Sequence, residues 1–241
     1  MARALHLWYA LTENVPPSAL RDGFLGVLSA EEQERYSSLL GEEHRHSYLL
    51  AHALVRKLIA EKLGLNAADL RFAKDPRGKP RLRDVPGTEF SLSHADGIVA
   101  CIAGDTPVGV DVEPIERGQS LEEIFSRFLG QAEKQELPGA ARAEKLIELW
   151  TCKEALLKAS GVGLSRRIQD ISILTDGSGI RVQWQGREDQ HWQVRRFRVG
   201  DRFAGAVANE RDLGDIRVAD VFGEALKSRE PADFRWLDWA T

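Results

Sequence analysis

The sequence predicts an α+β fold made of two similar halves. A strand, a helical region and further strands follow one another along residues 5–102, and the same order of elements recurs along residues 108–207. A short break containing Gly104 and Pro107 separates the two series. Because no residue-level repeat accompanies the second series, we expect the halves to match in shape alone.

The first half carries clear helix boundaries. Ser29 offers an N-cap, and Glu32, three residues later, completes a capping box. The helical pattern breaks near Gly41, resumes as an apolar stripe along residues 48–59 and stops at Gly64.

Runs of apolar residues bounded by turn residues predict the strands of the first half. These strands span residues 5–11, which are apolar on both faces, and residues 70–72, 90–93 and 98–102. A tight turn at residues 94–97 joins the last two strands and begins with His94. A basic turn at residues 75–80 carries Arg77, Gly78 and Lys79.

The second half opens with a strand at residues 108–112, which is rich in β-branched residues. Helices are predicted at residues 121–129, about 131–137 and 143–160, the last ending at Gly161. Strands are predicted at residues 168–174, 179–184, 192–199 and 202–207. We therefore assign residues 1–106 to an N-terminal subdomain, residues 107–211 to a C-terminal subdomain and residues 212–241 to a tail without a role.

The composition of the 241 residues disfavours several classes of protein. Apolar residues make up 43% and charged residues 29%, as in ordinary soluble proteins. The formal net charge of −4 does not favour bulk binding to nucleic acid or to an anionic membrane. With no signal-like N-terminus and no stretch apolar enough to span a bilayer, we expect a cytoplasmic protein. Cys101 and Cys152 lie in apolar runs and are interpreted as buried thiols.

Asp111 and Glu113 lie two residues apart at the end of a predicted strand, so both side chains project from the same face. Two carboxylates side by side repel each other, and burial increases the cost. Magnesium would relieve the repulsion, because it is commonly bound by one or two carboxylates together with a substrate phosphate. A solvated strand end is the alternative interpretation.

Glu154 and Lys158 lie one turn apart on the predicted helix of residues 143–160. Away from them, the apolar residues of this helix form one stripe, at Leu149, Cys152, Leu156 and Ala159. If Glu154 met Asp111 and Glu113 in space, the three carboxylates would hold a divalent cation with Lys158 beside it for phosphate. The alternative is a surface ion pair worth about 0.2–0.5 kcal/mol.

Three segments of the chain resemble the motifs of 4′-phosphopantetheinyl transferases of the surfactin-synthetase-activating type. They are Phe90-Ser91-Leu92-Ser93-His94, Val108-Gly109-Val110-Asp111-Val112-Glu113 and Trp150-Thr151-Cys152-Lys153-Glu154-Ala155-Leu156-Leu157-Lys158. The basic turn Gly78-Lys79-Pro80 and the helical Leu54-Val55-Arg56 also match. The resemblance spans roughly residues 5–208.

This resemblance implies a pseudo-dimer of two α+β subdomains with the active site in the cleft between them. It implies magnesium-dependent transfer of 4′-phosphopantetheine from coenzyme A to a serine of an apo acyl or peptidyl carrier protein, with release of 3′,5′-ADP. Asp111, Glu113 and Glu154 would hold magnesium, and Asp111, Glu154 and Lys158 are the expected catalytic residues. The residues expected to bind coenzyme A are Arg35, Lys74, Arg77, Gly78, Lys79, Ser91, Ser93, His94 and Lys158.

Some assignments stay open. Glu154 is the first candidate for the base that removes the serine proton, directly or through metal-bound water, and Glu133 is the second. The 3′-phosphate contacts depart from the family pattern, because an acidic run at residues 31–34 precedes Arg35 and Ser47 stands where arginine is expected. Arg45 or His46 would replace that arginine after a small shift in register.

The partner and the reaction also leave alternatives. Residues 121–129 and 164–167 are candidate surfaces for a carrier protein, whose pathway the sequence does not name. By resemblance, the length favours the monomeric branch of the family. A non-catalytic coenzyme A or nucleotide-binding module and a magnesium-dependent phosphohydrolase are the competing functions. The first fits poorly with three carboxylates and Lys158, and the second predicts phosphate release without a carrier.

Overall fold

The computed structural model describes residues 4–120, 128–136, 142–162, 168–176, 179–189, 191–221 and 233–237. The helices are α1 (Pro17–Phe24), α2 (Ala30–Ser38), α3 (Glu42–Leu63), α4 (Arg117–Ser120), α5 (Gln131–Glu136) and α6 (Arg142–Ser160). The strands are β1 (Leu5–Leu11), β2 (Phe72–Lys74), β3 (Pro80–Leu82), β4 (Glu89–Ala95), β5 (Ile98–Gly104), β6 (Val108–Pro114), β7 (Ile171–Asp176), β8 (Gly179–Trp184), β9 (Arg187–Glu188), β10 (Gln193–Val199), β11 (Phe203–Asn209), β12 (Ile216–Asp220) and β13 (Phe234–Trp236).

The two halves share one arrangement of strands. The first half forms a sheet of order β12-β1-β5-β4, and the second forms a sheet of order β13-β10-β11-β6. Starting from the first strand of each half, β1-β5-β4 and β6-β11-β10 follow the same antiparallel order. A small sheet precedes the hairpin in each half, formed by β2-β3 in one and β7-β8-β9 in the other. The predicted α+β fold of two similar halves is therefore confirmed.

The sheets pack face to face, with a long helix on the outer side of each. In β1, Leu7 and Tyr9 enter a core shared with Val110 of the other half. Trp8 and Ala10 point to the opposite side and pack in the core under α3. Helix α6 covers the outer face of the second sheet in the same way. Both faces of the first strand are thus covered, as its two apolar faces predict.

The predicted helix boundaries of the first half are confirmed. The Ser29 hydroxyl accepts a hydrogen bond from the Glu32 N–H at 3.3 Å, and the Glu32 carboxylate accepts one from the Ser29 N–H at 2.8 Å. Helix α3 ends before Gly64, whose φ of 66° is the left-handed conformation that glycine adopts without steric cost. Gly41 separates α2 from α3.

The segment after residue 211, for which the sequence indicated no role, contributes a strand to each sheet. Strand β12 pairs in parallel with β1, with Ile216 opposite Leu5. Strand β13 pairs antiparallel with β10, with Trp236 opposite Phe197. An uncovered strand edge is a template for aggregation, so this segment protects one edge of each sheet.

Three local predictions need correction or fall outside the described chain. His94 does not begin a turn: it lies within β4 opposite Val99, and Gly97, with φ of 86°, forms the turn that follows. Residues Ile168–Asp170 form a 3₁₀ turn, so β7 begins only at Ile171. Most of the helix predicted at residues 121–129 lies outside the described residues.

Both cysteines are buried free thiols, as predicted, and burial raises the pKa of the Cys152 thiol to about 12. None of the helices in the described ranges is long and apolar enough to cross a membrane.

Strand β6 and helix α6 come into direct backbone contact at Gly109. A Cβ atom on this residue would lie 1.9 Å from the carbonyl oxygen of Ala155 and 2.6 Å from the nitrogen of Ala159. Because side chains alternate along a strand, Asp111 and Glu113 project on the same face as Gly109, toward α6. Gly109 therefore sets how closely these carboxylates approach the helix.

We expect Gly109→Ala to lower the free energy of unfolding by about 1–3 kcal/mol or more, the usual cost of overpacking a buried site. Urea denaturation would measure the loss. At Gly26 an added Cβ would meet no atom within 4 Å, so Gly26→Ala serves as the matched control. The control should stay within about 0.5 kcal/mol of the wild type. Equal stability of both variants would show that β6 and α6 are not in contact at Gly109.

Candidate active site

A cavity of about 370 Å³ opens between the two halves. The first half contributes the turn between β2 and β3 and part of β4, and the second half contributes the C-terminal part of α6. The lining residues are Arg77, Gly78, Lys79, Pro80, Phe90, Ser91, Leu92, His94, Glu154, Leu157, Lys158 and Gly161. The structure thus brings together predicted site residues from distant parts of the chain.

Two buried serines join the halves behind this cavity. Ser91 Oγ accepts a hydrogen bond from the Val110 N–H at 3.1 Å, and Ser93 Oγ accepts one from the Val112 N–H at 3.4 Å. Strands β4 and β6 are edges of different sheets, so the hydroxyls satisfy backbone groups that a neighbouring strand would otherwise pair. Both serines, expected to bind coenzyme A, therefore also hold the halves together, and only Ser91 lines the cavity.

Asp111 is the point at which side chains from β4, β6 and α6 meet. Its Oδ1 accepts hydrogen bonds from Ser93 Oγ at 2.8 Å and from Lys158 Nζ at 2.7 Å. Its Oδ2 is buried and finds no hydrogen-bond partner among the described residues. A buried carboxylate oxygen without a donor costs free energy, so this atom is suited to receive a ligand.

The neighbouring carboxylates, Glu113 and Glu154, also lie where a negative charge is unfavourable. Glu113 Oε1 contacts the guanidinium of Arg117, while the buried Oε2 lacks a partner in the described part of the chain. Burial, with repulsion from Asp111, raises the pKa of Glu113, although Arg117 opposes the shift. Burial, followed by repulsion from Asp111, also raises the pKa of Glu154. The three carboxylates are therefore close enough to feel one another's charge.

The carboxylates of Asp111, Glu113 and Glu154 are suitable ligands for a hard divalent cation, although they are not arranged around one. In the described ranges, no group of three His, Cys, Asp or Glu side chains already stands in metal-ligand geometry. Lys158 and Arg117 instead supply the positive charge beside Asp111 and Glu113. The unpartnered carboxylate oxygens of Asp111 and Glu113 are the type of donor that magnesium prefers, so we judge the chemistry of the site compatible with it.

The basic turn between β2 and β3 reaches across to the second half. Asp75 Oδ1 accepts hydrogen bonds from the N–H groups of Arg77 and Lys79, both at 2.9 Å, and Gly78 takes a φ of 87°. Lys79 Nζ then donates to the carbonyl oxygen of Ala159 at 3.1 Å, in the last turn of α6. Burial lowers the pKa of Lys79. This lysine is therefore a link between the halves as well as a wall of the cavity.

His94 lines the cavity from β4 and is exposed. Partial burial, and then the positive charge of Lys158, lower the pKa of His94. An imidazole in this position can donate a hydrogen bond to an anion in the cavity.

Comparison with known proteins identifies the family. The sequence model of the 4′-phosphopantetheinyl transferase superfamily matches residues 107–208, and that of the 4′-phosphopantetheinyl transferase N-terminal region matches residues 18–106. The 4′-phosphopantetheinyl transferase ffp of Bacillus subtilis is 34% identical over 158 residues, which are 63% of this chain and 68% of the relative. The chain belongs to the 4′-phosphopantetheinyl transferase superfamily.

Two further relatives extend the match. The 4′-phosphopantetheinyl transferase Sfp of Bacillus subtilis strain 168 is 32% identical over 153 residues, or 62% of this chain and 67% of Sfp. The 4′-phosphopantetheinyl transferase HetI of Nostoc sp. strain PCC 7120 is 31% identical over 212 residues, or 85% of this chain and 86% of HetI. The predicted resemblance to transferases of the surfactin-synthetase-activating type is confirmed.

Some predicted residues of the transferase lie away from the cavity. Arg35 on α2 and Lys74 on β2 are exposed, and neither lines it. Their role in binding coenzyme A stays a prediction. The proposed carrier-docking residues 164–167, and residues 121–127 of the other candidate surface, lie outside the described residues.

Glu133, the second candidate for the base, has a structural role in the transferase. Its carboxylate is 2% exposed and accepts hydrogen bonds from Lys153 Nζ at 2.5 Å and from the N–H groups of Gly130 and Ile173 at 2.7 and 2.8 Å. Because both oxygens are occupied and buried, Glu133 cannot receive a proton from a substrate in the cavity. These contacts argue against Glu133 as the base, and Glu154, acting directly or through metal-bound water, stays the prediction.

Sequence reasoning missed two basic residues near the site. Arg117 contacts Glu113, and the spacing of four residues was the available signal. Lys153 is 1% exposed although it adjoins Glu154, and its position inside a helix with one clear apolar stripe gave no sign that it would be buried. Its partner, Glu133, lies 20 positions earlier in the chain.

Glu154→Gln should stabilise the metal-free transferase at alkaline pH. Since the pKa of Glu154 is raised in the folded state from 4.5, its negative charge destabilises the fold above the folded pKa, and the effect vanishes below the unfolded value. Urea denaturation in EDTA should therefore show a higher free energy of unfolding for Glu154→Gln at pH 8 and no difference at pH 4. Glu61→Gln, on an exposed position of α3, is the control and should change neither.

A loss of stability for Glu154→Gln at pH 8 would mean that Lys158 outweighs the two acidic neighbours, and would contradict the crowded-carboxylate description of the site.

Proposed function

We propose that the protein transfers 4′-phosphopantetheine from coenzyme A to a serine hydroxyl of an apo acyl or peptidyl carrier protein, releasing 3′,5′-ADP, with magnesium as cofactor. The observation that carries this proposal is that Glu154 and Lys158 line the cavity between the halves while Lys158 pairs with Asp111, whose charge also acts on Glu113 and Glu154. Membership of the family supports the choice of substrates.

The cavity suits a ligand that carries both phosphate and apolar groups. Lys158 and His94 offer positive or hydrogen-bonding groups at the side of α6 and β4, and Phe90, Leu92 and Leu157 offer apolar surface. Gly78, on the opposite wall, has no side chain, so a ligand can approach the backbone closely there. Coenzyme A combines these features, since it has a diphosphate, a 3′-phosphate, a base and a pantetheine arm.

The transfer is a displacement at phosphorus. The serine Oγ forms a bond to the phosphorus that carries pantetheine, the bond from that phosphorus to the bridging oxygen breaks, and 3′,5′-ADP leaves with the bond's electron pair. Glu154 would accept the serine proton, directly or through a water molecule. When bound, magnesium neutralises negative charge on the diphosphate.

The remaining residues position the phosphates. Lys158 lies one helical turn after Glu154, and its ammonium group donates a hydrogen bond to Asp111. From this position it would also donate to oxygens of the diphosphate. Asp111 and Glu113, each with a buried oxygen that lacks a partner among the described residues, would hold the cation together with Glu154. Such a reaction depends mostly on positioning and charge stabilisation.

We also propose that the enzyme works as a monomer in the cytoplasm. Both walls of the cavity come from one chain, so the site needs no second copy. Two free buried cysteines are consistent with a reducing compartment.

Incubation with fluorescent coenzyme A, an apo carrier domain and magnesium tests the proposal. We expect label on the carrier serine, detected by gel fluorescence and by the mass of the modified peptide, and no label in EDTA. Phosphate release without carrier labelling would identify a phosphohydrolase instead. Binding of coenzyme A without labelling of any apo acyl or peptidyl carrier would identify a non-catalytic module.

Asp111→Ala should reduce the labelling rate by more than about 100-fold, beyond the usual cost of losing an outer-sphere partner of a metal site. The variant removes both Asp111 Oδ2, which lacks a partner among the described residues, and Oδ1, which pairs with Lys158. Asp189→Ala, in the distant β9 region, is the control and should label at the wild-type rate. Near-normal labelling by Asp111→Ala at ordinary magnesium would contradict the assignment of the metal site.

Lys158→Ala should lower the labelling rate by about 10²–10³-fold, comparable to the loss of one donor that stabilises a transition state. Lys145 is a matched control, because it lies on the same helix and both lysine side chains are 30% exposed. Lys145→Ala should keep the wild-type rate. With magnesium present to balance the carboxylates, melting temperatures of both variants should stay close to that of the wild type; a large fall for Lys158→Ala alone would assign Lys158 a structural role.

A further inference from the structure

Arg117 is a charged residue beside the proposed metal site that the transfer step does not use. Its guanidinium contacts Glu113 Oε1, although the two residues belong to different elements, the end of β6 and the start of α4. The side chain of Arg117 is 46% exposed, whereas that of Glu113 is only 11% exposed. Fully exposed ion pairs contribute little, but this carboxylate is mostly removed from water, so its charge depends on the partner.

The turn after β6 carries Arg117 back to this carboxylate and holds it there. The Ile115 N–H donates to the Arg202 carbonyl at 2.8 Å, and the Gly118 N–H donates to the Ile115 carbonyl at 3.0 Å. A Cβ atom on Gly118 would lie 2.3 Å from the carbonyl oxygen of Ala143, so the start of α4 is in direct backbone contact with α6. The backbone that bears the guanidinium is therefore fixed on both sides.

The two carboxylates of β6 are occupied in the same way. Asp111 pairs through Oδ1 with Lys158, and Glu113 pairs through Oε1 with Arg117. On each carboxylate the second oxygen is buried and has no partner among the described residues. Each therefore presents one oxygen to a cationic side chain and keeps the other for a further ligand.

Two cationic side chains at the carboxylates oppose the binding of another cation. Like charges repel, and the repulsion is larger where water is scarce. Lys158 lines the cavity, so a diphosphate bound there can take up its charge. Arg117, in contrast, is not among the residues that line the cavity. A metal ion that binds Glu113 must therefore share this carboxylate with Arg117 or displace it.

We propose that Arg117 competes with magnesium for the Glu113 carboxylate and thereby weakens binding of the metal to the protein alone. The inference rests on the proposed function, because it takes Asp111, Glu113 and Glu154 as the metal ligands. The diphosphate of coenzyme A brings negative charge that offsets the repulsion, so magnesium binds more tightly in its presence. Arg117 is thus a residue that makes metal binding depend on the substrate.

Calorimetric titration of the metal-free protein with magnesium chloride tests the inference. Arg117→Gln should lower the Kd for magnesium about tenfold, which corresponds to about 1.4 kcal/mol, because it removes the competing charge. Arg117→Lys keeps the charge and should bind magnesium as the wild type does. The matched control is Arg235→Gln, since Arg235 is 56% exposed and pairs with Asp201 at the opposite edge of the same sheet. The control should leave the Kd unchanged.

The same titration in the presence of coenzyme A separates the possible outcomes. The gain from Arg117→Gln should be smaller there, and an equal gain in both titrations would overturn the dependence on the diphosphate. Unchanged or weaker binding of magnesium by Arg117→Gln alone would overturn the inference, because Arg117 would then support the carboxylate instead of competing for it. Absence of magnesium binding by every variant, with and without coenzyme A, would be a failure of the proposed function and would overturn the metal site itself.

A second measurement uses the wild type and covers the case in which Arg117→Gln does not fold. In protein labelled with ¹⁵N-arginine, magnesium chloride should shift the Nε resonance of Arg117, which is identified by its loss in Arg117→Lys. The resonance of Arg235 should stay in place. An Arg117 resonance that does not move at saturating magnesium would contradict the competition for Glu113.

Discussion

The contact between β6 and α6 at Gly109 fixes the geometry on which the rest of the site depends. The strand and the helix are so close there that the glycine meets backbone atoms of Ala155 and Ala159. Each of these alanines directly follows a residue of the proposed active site, Glu154 or Lys158. On the strand, the two carboxylates follow Gly109 along the same face. The packing contact and the reactive groups are thus parts of one local structure, and a change in their separation would change both.

The carboxylates that hold elements of the fold together differ from those that we propose to bind a cation in how many of their oxygens have hydrogen-bond donors. Glu133 is buried with donors on both of its oxygens, and Glu32 likewise has several donors. Asp111 and Glu113 each keep one buried oxygen without a partner in the described chain. A carboxylate whose two oxygens both accept hydrogen bonds stabilises the fold. A buried carboxylate oxygen without a donor costs free energy, and binding a cation or substrate would recover it.

The elements that depend on neighbouring residues could be predicted from the sequence, and those that depend on distant residues could not. The capping box at Ser29, the end of α3 at Gly64 and the long helix α6 follow from local spacing, and all three are present. The meeting of Glu154 with the β6 carboxylates came from the family resemblance, since no local pattern encodes it.

Burial of charged residues was the main source of error. From the sequence, Glu133 was expected to be an accessible acid. It is buried because Lys153 and two backbone N–H groups from outside its helix donate hydrogen bonds to it. Strand β12 of the final segment also pairs with a distant partner, because Ile216 lies opposite Leu5 near the start of the chain.

The parallel pairing of β12 with β1 has a consequence for how the protein is made. The first sheet recruits its outermost strand from residues 216–220, so it cannot be completed on the ribosome until the second half has already emerged. Expressing the halves as separate polypeptides would leave β1 with a bare edge. The similar halves, although each has its own helix-covered sheet, are therefore one cooperative unit in assembly.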